Sequence, residues 1–303
     1  LRLDSNSISG SLEEALCMLG NVSSRESSRL REVRLNNNRM TGQVPSCIVE
    51  FRQLTNIHLQ NNFFSGGIPE RIVELTRLKE LVLANNRLSG TLPRSFDRAF
   101  AVKAAQVTAF QTLERLDIAQ NSMTGAIPTG ITQFSALREL RFNDNRFSGD
   151  FPQTFPALLR LEIFDASRNA LTGTLPENIG LMRQLRQFSV SRNQMSGAIP
   201  TGLAECELLR RLELDSNNFE GTLPEGVSAW QNLLTFNVSA NRLTSIPTLT
   251  ASRQVLETLV VSSNRLTFES IEGNVGIRGY RYSLQDSVGI AQNLAFQPAR
   301  RIE

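Results

Sequence analysis

The stretch that decides the fold is residues 78–93, which read Leu-Lys-Glu-Leu-Val-Leu-Ala-Asn-Asn-Arg-Leu-Ser-Gly-Thr-Leu-Pro. Leu81 and Leu83 are separated by one residue, and strand side chains alternate between two faces, so both point to the same buried side of a short strand. Asn86 follows the strand, and its amide can donate and accept hydrogen bonds in a turn that water does not reach. Gly90 permits a positive-φ turn, and Pro93 suits an outer segment whose N–H would lack a partner.

The same pattern, L-x-x-L-x-L-x-x-N-x-L-x-G-x-[ILV]-P, recurs along the chain. Its asparagine occurs eleven times, and seven of the ten intervals are 24 residues. The positions are Asn6, Asn38, Asn62, Asn86, Asn121, Asn145, Asn169, Asn193, Asn217, Asn241 and Asn264. One copy cannot bury its leucine face, whereas stacked copies form a continuous core and a ladder of asparagines. The 303 residues, whose number alone would suggest two globular domains, are therefore predicted to form one elongated solenoid.

The repeats resemble leucine-rich repeats, in particular the plant-type variant with an L-x-G-x-I-P half. Gly125-Ala126-Ile127-Pro128 and Gly197-Ala198-Ile199-Pro200 match that half closely, and the resemblance covers residues 1–267, with the first repeat truncated. Such repeats are similar to those of bacterial surface proteins and plant receptor ectodomains. The resemblance implies an α/β leucine-rich repeat solenoid, an arc with a parallel β-sheet on its concave face and short 3₁₀ or irregular segments on its convex face. It also implies an extracellular or cell-surface location.

Two intervals in the ladder are long. The 35-residue interval contains an insertion near 94–112, where apolar residues from Phe96 to Phe110 recur at intervals of three and four, so we expect an amphipathic helix. This helix would either pack on the convex side or dock a partner. The 32-residue interval contains a Ser-rich segment at 21–28, for which we expect a surface loop.

The chain contains two N-glycosylation sequons. Asn21 begins one in the Ser-rich segment, and Asn237 begins the other in a repeat strand. Because use of so short a motif depends on the host, glycosylation at either site stays open.

The repeat array ends near residue 267, where the final copy has lost its G-x-I-P half. Residues 268–303 are predicted to form a C-terminal cap and the start of a following segment or domain, with 268–272 covering the last core face. The segment from Tyr280 to Gly289 is similar to one that follows repeat arrays in some bacterial surface leucine-rich repeat proteins. This similarity implies that another domain begins near residue 290.

The three cysteines do not match the paired cysteine caps of plant receptor ectodomains. Cys206 lies three residues before Leu209, where many plant-type repeats hold a buried thiol, so we expect it in the core. Cys17 and Cys47 lie at comparable places in neighbouring repeats. A disulfide between them is geometrically feasible, but the sequence leaves the pairing open.

The composition argues against several classes of function. The net charge is only +3 and the basic residues are spread along the chain, so no concentrated footprint for nucleic acid exists. No apolar run approaches the roughly 18 residues of a membrane span, so we expect no membrane insertion. With one histidine and no phosphate-loop, nucleophile-elbow or zinc motif, we expect no catalytic residue, metal or cofactor, and no enzyme activity.

The informative surface is the outward side of the concave sheet, where the register of the repeats places residues in rows. The first row is Arg34, His58, Val82, Asp117, Arg141, Asp165, Ser189, Glu213, Asn237 and Val260. The second, two residues earlier, is Glu32, Asn56, Glu80, Arg115, Glu139, Ile163, Gln187, Arg211, Thr235 and Thr258. The residues predicted to bind a partner are Arg34, His58, Glu80, Arg115, Asp117, Glu139, Arg141, Asp165, Gln187, Arg211 and Glu213.

The charged residues of these rows have two interpretations. Runs such as Asp117–Arg141–Asp165 and Glu80–Arg115–Glu139 could form solvated ion pairs along each row, each contributing at most about 1 kcal/mol. They could instead present a polar surface to a ligand, as concave faces of solenoids do. His58 is expected to be a solvated surface residue. A further row after the ladder, Arg39, Arg87, Arg146, Arg242 and Arg265, could be an anion-binding edge or simply an exposed position.

These observations predict a non-catalytic recognition module that binds a protein, peptide or glycan partner through the concave sheet. Two alternatives stay open. One is a structural or adhesive stalk of a larger surface protein, and the other is the regulatory ectodomain of an enzyme whose catalytic domain lies outside this chain. An ice-binding solenoid is a more distant alternative, because the concave rows are irregular and charged.

Overall fold

The computed structural model describes residues 1–13, 16–17, 29–97, 111–277 and 280–281. Most of the insertion near 94–112 and the whole Ser-rich segment at 21–28 lie outside the described residues. Only Arg94–Asp97 of the insertion, a 3₁₀ turn, and residues 111–112, a tight turn, are described. The tail after residue 281 also lies outside them.

Eleven short parallel strands form one continuous sheet, which we call the inner sheet. Its strands, in spatial and chain order, are Glu32–Arg34, Asn56–His58, Glu80–Val82, Arg115–Asp117, Glu139–Arg141, Ile163–Asp165, Gln187–Ser189, Arg211–Glu213, Thr235–Asn237, Thr258–Val260 and Tyr280–Arg281. The first ten come from repeats two to eleven, and the truncated first repeat adds a single bridge from Arg2 to Arg34. The last strand comes from the C-terminal segment and pairs with Thr258–Val260.

The core lies directly behind the inner sheet. Leu81, Leu116 and Leu140 from successive strands are fully buried, as the alternation of strand side chains requires. In the middle repeats phenylalanine replaces leucine, and the rings of Phe164 and Phe188 lie 5.4 Å apart between centroids. The buried residues form a single cluster that runs along the array, so each repeat depends on its neighbours for burial.

The L-x-G part of the repeats forms further short parallel sheets, which we call the outer ribbons. The repeat pattern did not predict these ribbons. They contain Ser9–Ser11 with Arg39–Thr41; then Ser65–Gly66, Arg87–Gly90, Ser122–Gly125, Arg146–Asp150 and Ala170–Thr172; then Ser196–Ala198, Asn218–Thr222 and Arg242–Ser245. The motif glycines from Gly42 to Gly221 have φ between 71° and 83°, a region that glycine enters without steric cost.

Short 3₁₀ helices complete the repeats on the side opposite the inner sheet. They are Ser46–Glu50, Glu70–Glu74, Thr129–Gln133, Phe155–Ala157, Ile179–Leu181, Thr201–Glu205 and Glu225–Ala229. Several follow directly after the motif proline, as Thr129–Gln133 follows Pro128. The parallel inner sheet and these 3₁₀ segments confirm the predicted repeat solenoid.

A short α-helix, Phe268–Glu272, follows the last repeat. Ile271 and Ile277 are buried, whereas Phe268, which we expected to help cover the core, is 57% exposed. Asn274 is fully buried; its Nδ2 donates to the carbonyl of Pro247 (3.0 Å), and its Oδ1 accepts the N–H of Leu249 (2.9 Å). The division of the chain into a solenoid at 1–267 and a separate segment at 268–303 stays a prediction.

The cysteines occupy two different environments. Cys17 and Cys47 form a disulfide, with their Cα atoms 5.5 Å apart. This settles the pairing of these two cysteines, which the sequence left open. The bond ties the first repeat to the 3₁₀ helix Ser46–Glu50 of the second. Cys206 is fully buried and free, and burial raises the pKa of its thiol to about 12.

Candidate functional site on the inner sheet

The ladder asparagines join each repeat to the one before it. Asn145 Nδ2 donates to the carbonyls of Phe142 (3.0 Å) and Asn143 (3.3 Å) in its own turn and of Ile118 (2.9 Å) in the preceding repeat. Its Oδ1 accepts the N–H of Met123 at 2.9 Å. Asn38 and Asn264, near the ends of the array, make the same four kinds of contact. Asn6 is exposed and donates only within its own turn.

The residue before each ladder asparagine adopts the left-handed conformation, with φ between 52° and 59°. The residues are Ser5, Asn37, Asn61, Asn85, Gln120, Asp144, Arg168, Arg192, Ser216, Ala240 and Ser263. Sequence reasoning missed this turn, because the residue types share no single signal; only Asp144 and the three asparagines are typical of it. Those three also form a surface chain, in which Asn85 Nδ2 donates to Asn61 Oδ1 at 2.9 Å.

The inner sheet brings the two predicted rows together in unbroken register. Glu139 pairs with Arg115 on one side and Ile163 on the other, and Arg141 pairs likewise with Asp117 and Asp165. The same register continues from Glu32 to Thr258 and from Arg34 to Val260. The residues proposed as a binding surface therefore form one face across ten strands.

The charges in the middle of this face follow the expected rows only in part: Arg115 contacts its row neighbour Glu139, whereas the other contacts join residues of one strand. Arg115 Nη2 contacts Asp117 Oδ2 (3.1 Å) and Glu139 Oε1 (3.4 Å), and Arg141 Nε contacts Glu139 Oε1 (2.6 Å). Arg141 forms no ion pair with Asp117 or Asp165, although both lie next to it in the strand register. Residues two apart on one strand share a face, so a long arginine side chain reaches a carboxylate on its own strand as readily as one on the next.

The N-terminal part of the face corrects two expectations. His58 Nε2 lies 2.6 Å from Glu80 Oε2, and the His58 side chain is only 14% exposed, so it is not a solvated histidine. Glu80 is thereby engaged with His58 rather than with Arg115. Arg2 contacts Glu32 at 2.6 Å, and this hydrogen bond holds the pKa of the Glu32 carboxyl below its usual range.

A shallow cavity of about 170 Å³ opens on the face between the strands Glu139–Arg141 and Arg211–Glu213. Its polar lining is Arg141, Asp165, Gln187, Ser189, Arg211 and Glu213. Arg211 Nη2 donates to Glu213 Oε1 at 2.6 Å, and this hydrogen bond raises the pKa of Arg211. The cavity lies inside the predicted binding surface.

The half-buried Asp165 at the wall of this cavity has a different set of partners. Its Oδ1 accepts the N–H (3.0 Å) and the hydroxyl (2.7 Å) of Ser167. In the part of the chain that the structure describes, Asp165 forms no ion pair. It is thus a hydrogen-bonded carboxylate whose charge is not neutralised by a direct contact.

The structure also locates the arginine row that follows the ladder and one of the two sequon asparagines. The arginines that follow the ladder are exposed, and the guanidinium of Arg87 stacks on the Phe63 ring at 4.6 Å from its centroid. The sequon residue Asn237 is half-buried on the inner sheet, where its Oδ1 accepts the hydroxyl of Ser239 at 2.7 Å. The other sequon residue, Asn21, lies outside the described residues.

Two searches of the described residues gave negative results. No group of three or more histidine, cysteine, aspartate or glutamate side chains is placed to hold a metal ion there. Of the helices in that part of the chain, none combines the length and the hydropathy that crossing a bilayer requires.

A family model for leucine-rich repeats matches residues 77–99, 136–158 and 208–230. The parallel inner sheet and the asparagine ladder agree with this match, and the chain has the fold of a leucine-rich repeat solenoid. A search of curated proteins found no match to the sequence.

Solved structures of leucine-rich repeat proteins resemble the chain closely in fold. The ectodomain of the Arabidopsis receptor kinase HAESA, solved with a peptide hormone ligand, has a TM-score of 0.77 and 25% identity over 92% of this chain and 44% of that chain. A leucine-rich repeat protein of Leptospira interrogans has a TM-score of 0.65 and 25% identity, over 88% of this chain and 64% of that one. A plant ice-binding protein shares the fold alone, with a TM-score of 0.65 and 24% identity over 82% and 74% of the two chains. The chain spans about half the length of the plant receptor ectodomains that it resembles.

Proposed function

We propose that this protein is a non-catalytic recognition module and that its inner sheet binds an extended peptide or protein segment. The observation that carries the proposal is the mostly polar face, which runs in register across ten strands and contains a cavity at its middle. A straight row of outward side chains, one per strand, suits a partner that also has a repeating backbone. The peptide hormone bound by the HAESA ectodomain supports this choice of ligand.

The rigidity of the face supports binding. Every ladder asparagine except Asn6 forms hydrogen bonds in two repeats, and the ion pairs among Arg115, Asp117, Glu139 and Arg141 hold their side chains in place. Side chains that are ordered before binding lose less conformational entropy when a ligand arrives. The ion pairs that we considered as an alternative to a binding surface therefore contribute to its preorganisation.

We place the module outside the cell or at the cell surface. The Cys17–Cys47 disulfide supports this location, because disulfides form and persist in oxidising compartments. The plant receptor ectodomains among the similar structures support it as well.

A selection from random peptides of about twelve residues tests the proposal, because a purely structural stalk would bind none of them saturably. Gln187 lies on the cavity wall, so Gln187→Trp should weaken binding of the selected peptides by about tenfold through steric block. Ser148→Trp, at an exposed site on an outer ribbon, is the matched control and should change affinity less than about twofold. Affinities are measured by isothermal titration calorimetry, and thermal melting verifies that both variants fold. Failure to enrich any peptide, or equal binding to Gln187→Trp, would contradict the proposal.

A further inference from the structure

We propose that the cavity on the inner sheet is a subsite for one basic side chain, an arginine or a lysine, of the bound peptide. This inference rests on the proposed function and names the chemistry of one contact within it. It follows from the balance of charge in the cavity, from the position of Asp165 and from the availability of its second carboxylate oxygen.

The two arginines of the cavity already have partners. Arg141 Nε contacts Glu139 Oε1 and Arg211 Nη2 contacts Glu213 Oε1, both at 2.6 Å. Each guanidinium keeps N–H groups that these contacts do not use, but its charge is already balanced by the glutamate it contacts, so an anionic ligand would meet little net positive charge. The cavity is therefore poorly suited to an anion.

The charge that remains without direct neutralisation is negative. Asp165 forms no ion pair within the described part of the chain, and its hydrogen bonds from Ser167 both engage Oδ1. Oδ2 is thus available to accept from a ligand. Arg211 bonds Oε1 of Glu213, which leaves Oε2 of that residue as a second acceptor in the same cavity.

The position of these acceptors suits a side chain that only donates. Asp165 and Glu213 belong to the same row, with Ser189 between them, so they lie two strand spacings, roughly 10 Å, apart. A guanidinium or an ammonium group entering between them would meet a carboxylate on each side and the Ser189 hydroxyl below. Arginine and lysine carry several N–H donors and no acceptor, which matches this set of acceptors.

A comparison with Asp117 in the same row shows why Asp165 is distinctive. Asp117 is only 5% exposed and is bound by Arg115 at 3.1 Å, so a ligand cation cannot reach it without displacing that arginine. Asp165 is half-buried and open to the cavity. The row therefore offers a free carboxylate at this position.

The test is a titration with N-acetyl-arginine amide, with N-acetyl-glutamine amide as the neutral probe of similar size. Backbone amide shifts of Gln187 and Ser189 in two-dimensional NMR report on occupancy of the cavity. The arginine probe should shift them saturably at millimolar concentration, and the glutamine probe should bind at least about tenfold more weakly. Equal affinity for the two probes, or no saturable shift with the arginine probe, would overturn the inference.

Variants identify the carboxylate. Asp165→Asn should weaken binding of the arginine probe by about tenfold, whereas Glu220→Gln, which removes a charge from an exposed site on an outer ribbon, should change it less than about twofold. Asp165→Asn keeps an oxygen that can accept from Ser167, so the fold should persist, and thermal melting verifies this. Ser189→Asp adds a further carboxylate between Asp165 and Glu213 and should strengthen binding. Unchanged binding in both Asp165→Asn and Ser189→Asp would overturn the assignment.

The two proposals fail in different ways. If selected peptides lose affinity for Gln187→Trp but N-acetyl-arginine amide does not bind, the basic-residue subsite is wrong and the recognition face stands. If the peptides bind Gln187→Trp as well as the original protein, the recognition face is wrong, and the subsite, which depends on it, fails too.

Discussion

At the scale of single residues, the ladder asparagines supply hydrogen bonds that the turns of the solenoid require. In every repeat but the first, the side-chain amide satisfies turn carbonyls that the neighbouring repeats shield from water, and its Oδ1 accepts an N–H from the repeat before it. The same turn forces the preceding residue into the left-handed region, even where that residue is Ala240 or Arg192. This conformation costs roughly 1–2 kcal/mol for a non-glycine residue, so the ladder must outweigh that cost at each turn.

Replacement of Asn145 by alanine tests this demand. The change removes four hydrogen bonds and leaves partly buried groups of Phe142, Ile118 and Met123 without their partner. Because each unsatisfied buried group costs about 1–3 kcal/mol, we expect a large loss in the free energy of unfolding, measured by urea denaturation. Asn6→Ala is the control, since Asn6 is exposed and bonds only to its own turn, and it should have a small effect. Equal effects of the two changes would contradict the role of the ladder.

At the scale of elements, the 3₁₀ helices pack so closely that they require glycine at particular positions. A Cβ atom added to Gly180 would lie 2.4 Å from the carbonyl oxygen of Gly202, in the adjacent 3₁₀ helix. Backbone cannot yield as a flexible side chain does, so this close approach is possible only without a side chain. Hydrogen bonding between strands fixes the spacing of the repeats in the inner sheet and the outer ribbons. The 3₁₀ helices must fit within that spacing.

Gly180→Ala should therefore destabilise the protein by about 1–3 kcal/mol, through overpacking between neighbouring repeats. Gly67→Ala is the matched control, because a Cβ there meets only the Ser89 carbonyl oxygen at an ordinary 3.7 Å. Thermal unfolding followed by circular dichroism measures both variants. If Gly180→Ala has the same melting temperature as Gly67→Ala, the 3₁₀ helices can separate at little cost in free energy, and the prediction is wrong.

At the scale of the whole molecule, the solenoid is a one-dimensional array in which each repeat contacts only its neighbours. Its N-terminal end is secured by the Cys17–Cys47 disulfide and by the contact of Arg2 with Glu32, and its C-terminal end by the cap around Ile271 and Asn274. Opening of the ends is the easiest way for such an array to unfold. Both ends therefore determine how much of the inner sheet stays folded.

Removal of the disulfide in the double variant Cys17→Ser, Cys47→Ser should reduce stability by about 3–4 kcal/mol, the chain-entropy value for a loop of 30 residues. The loss should concentrate in the first two repeats, as amide hydrogen exchange would show. A reductant should destabilise the original protein to the same extent and leave the double variant unchanged. A uniform loss of protection from hydrogen exchange along the whole array would contradict the prediction that the disulfide stabilises mainly the first two repeats.

The sequence by itself determined the repeat count, the buried side of each inner strand and the rows of outward residues. These features depend on alternation along a strand and on a constant interval between copies, which are local and repeated eleven times. Only the tertiary structure decided that Arg141 binds Glu139, that His58 is covered by Glu80, that Cys17 joins Cys47 and that a cavity opens beside Asp165. The physical reason is that each of these depends on where long side chains or distant segments come to rest in space. A residue pattern sets their order along a row, but not which of several neighbours within reach each side chain contacts.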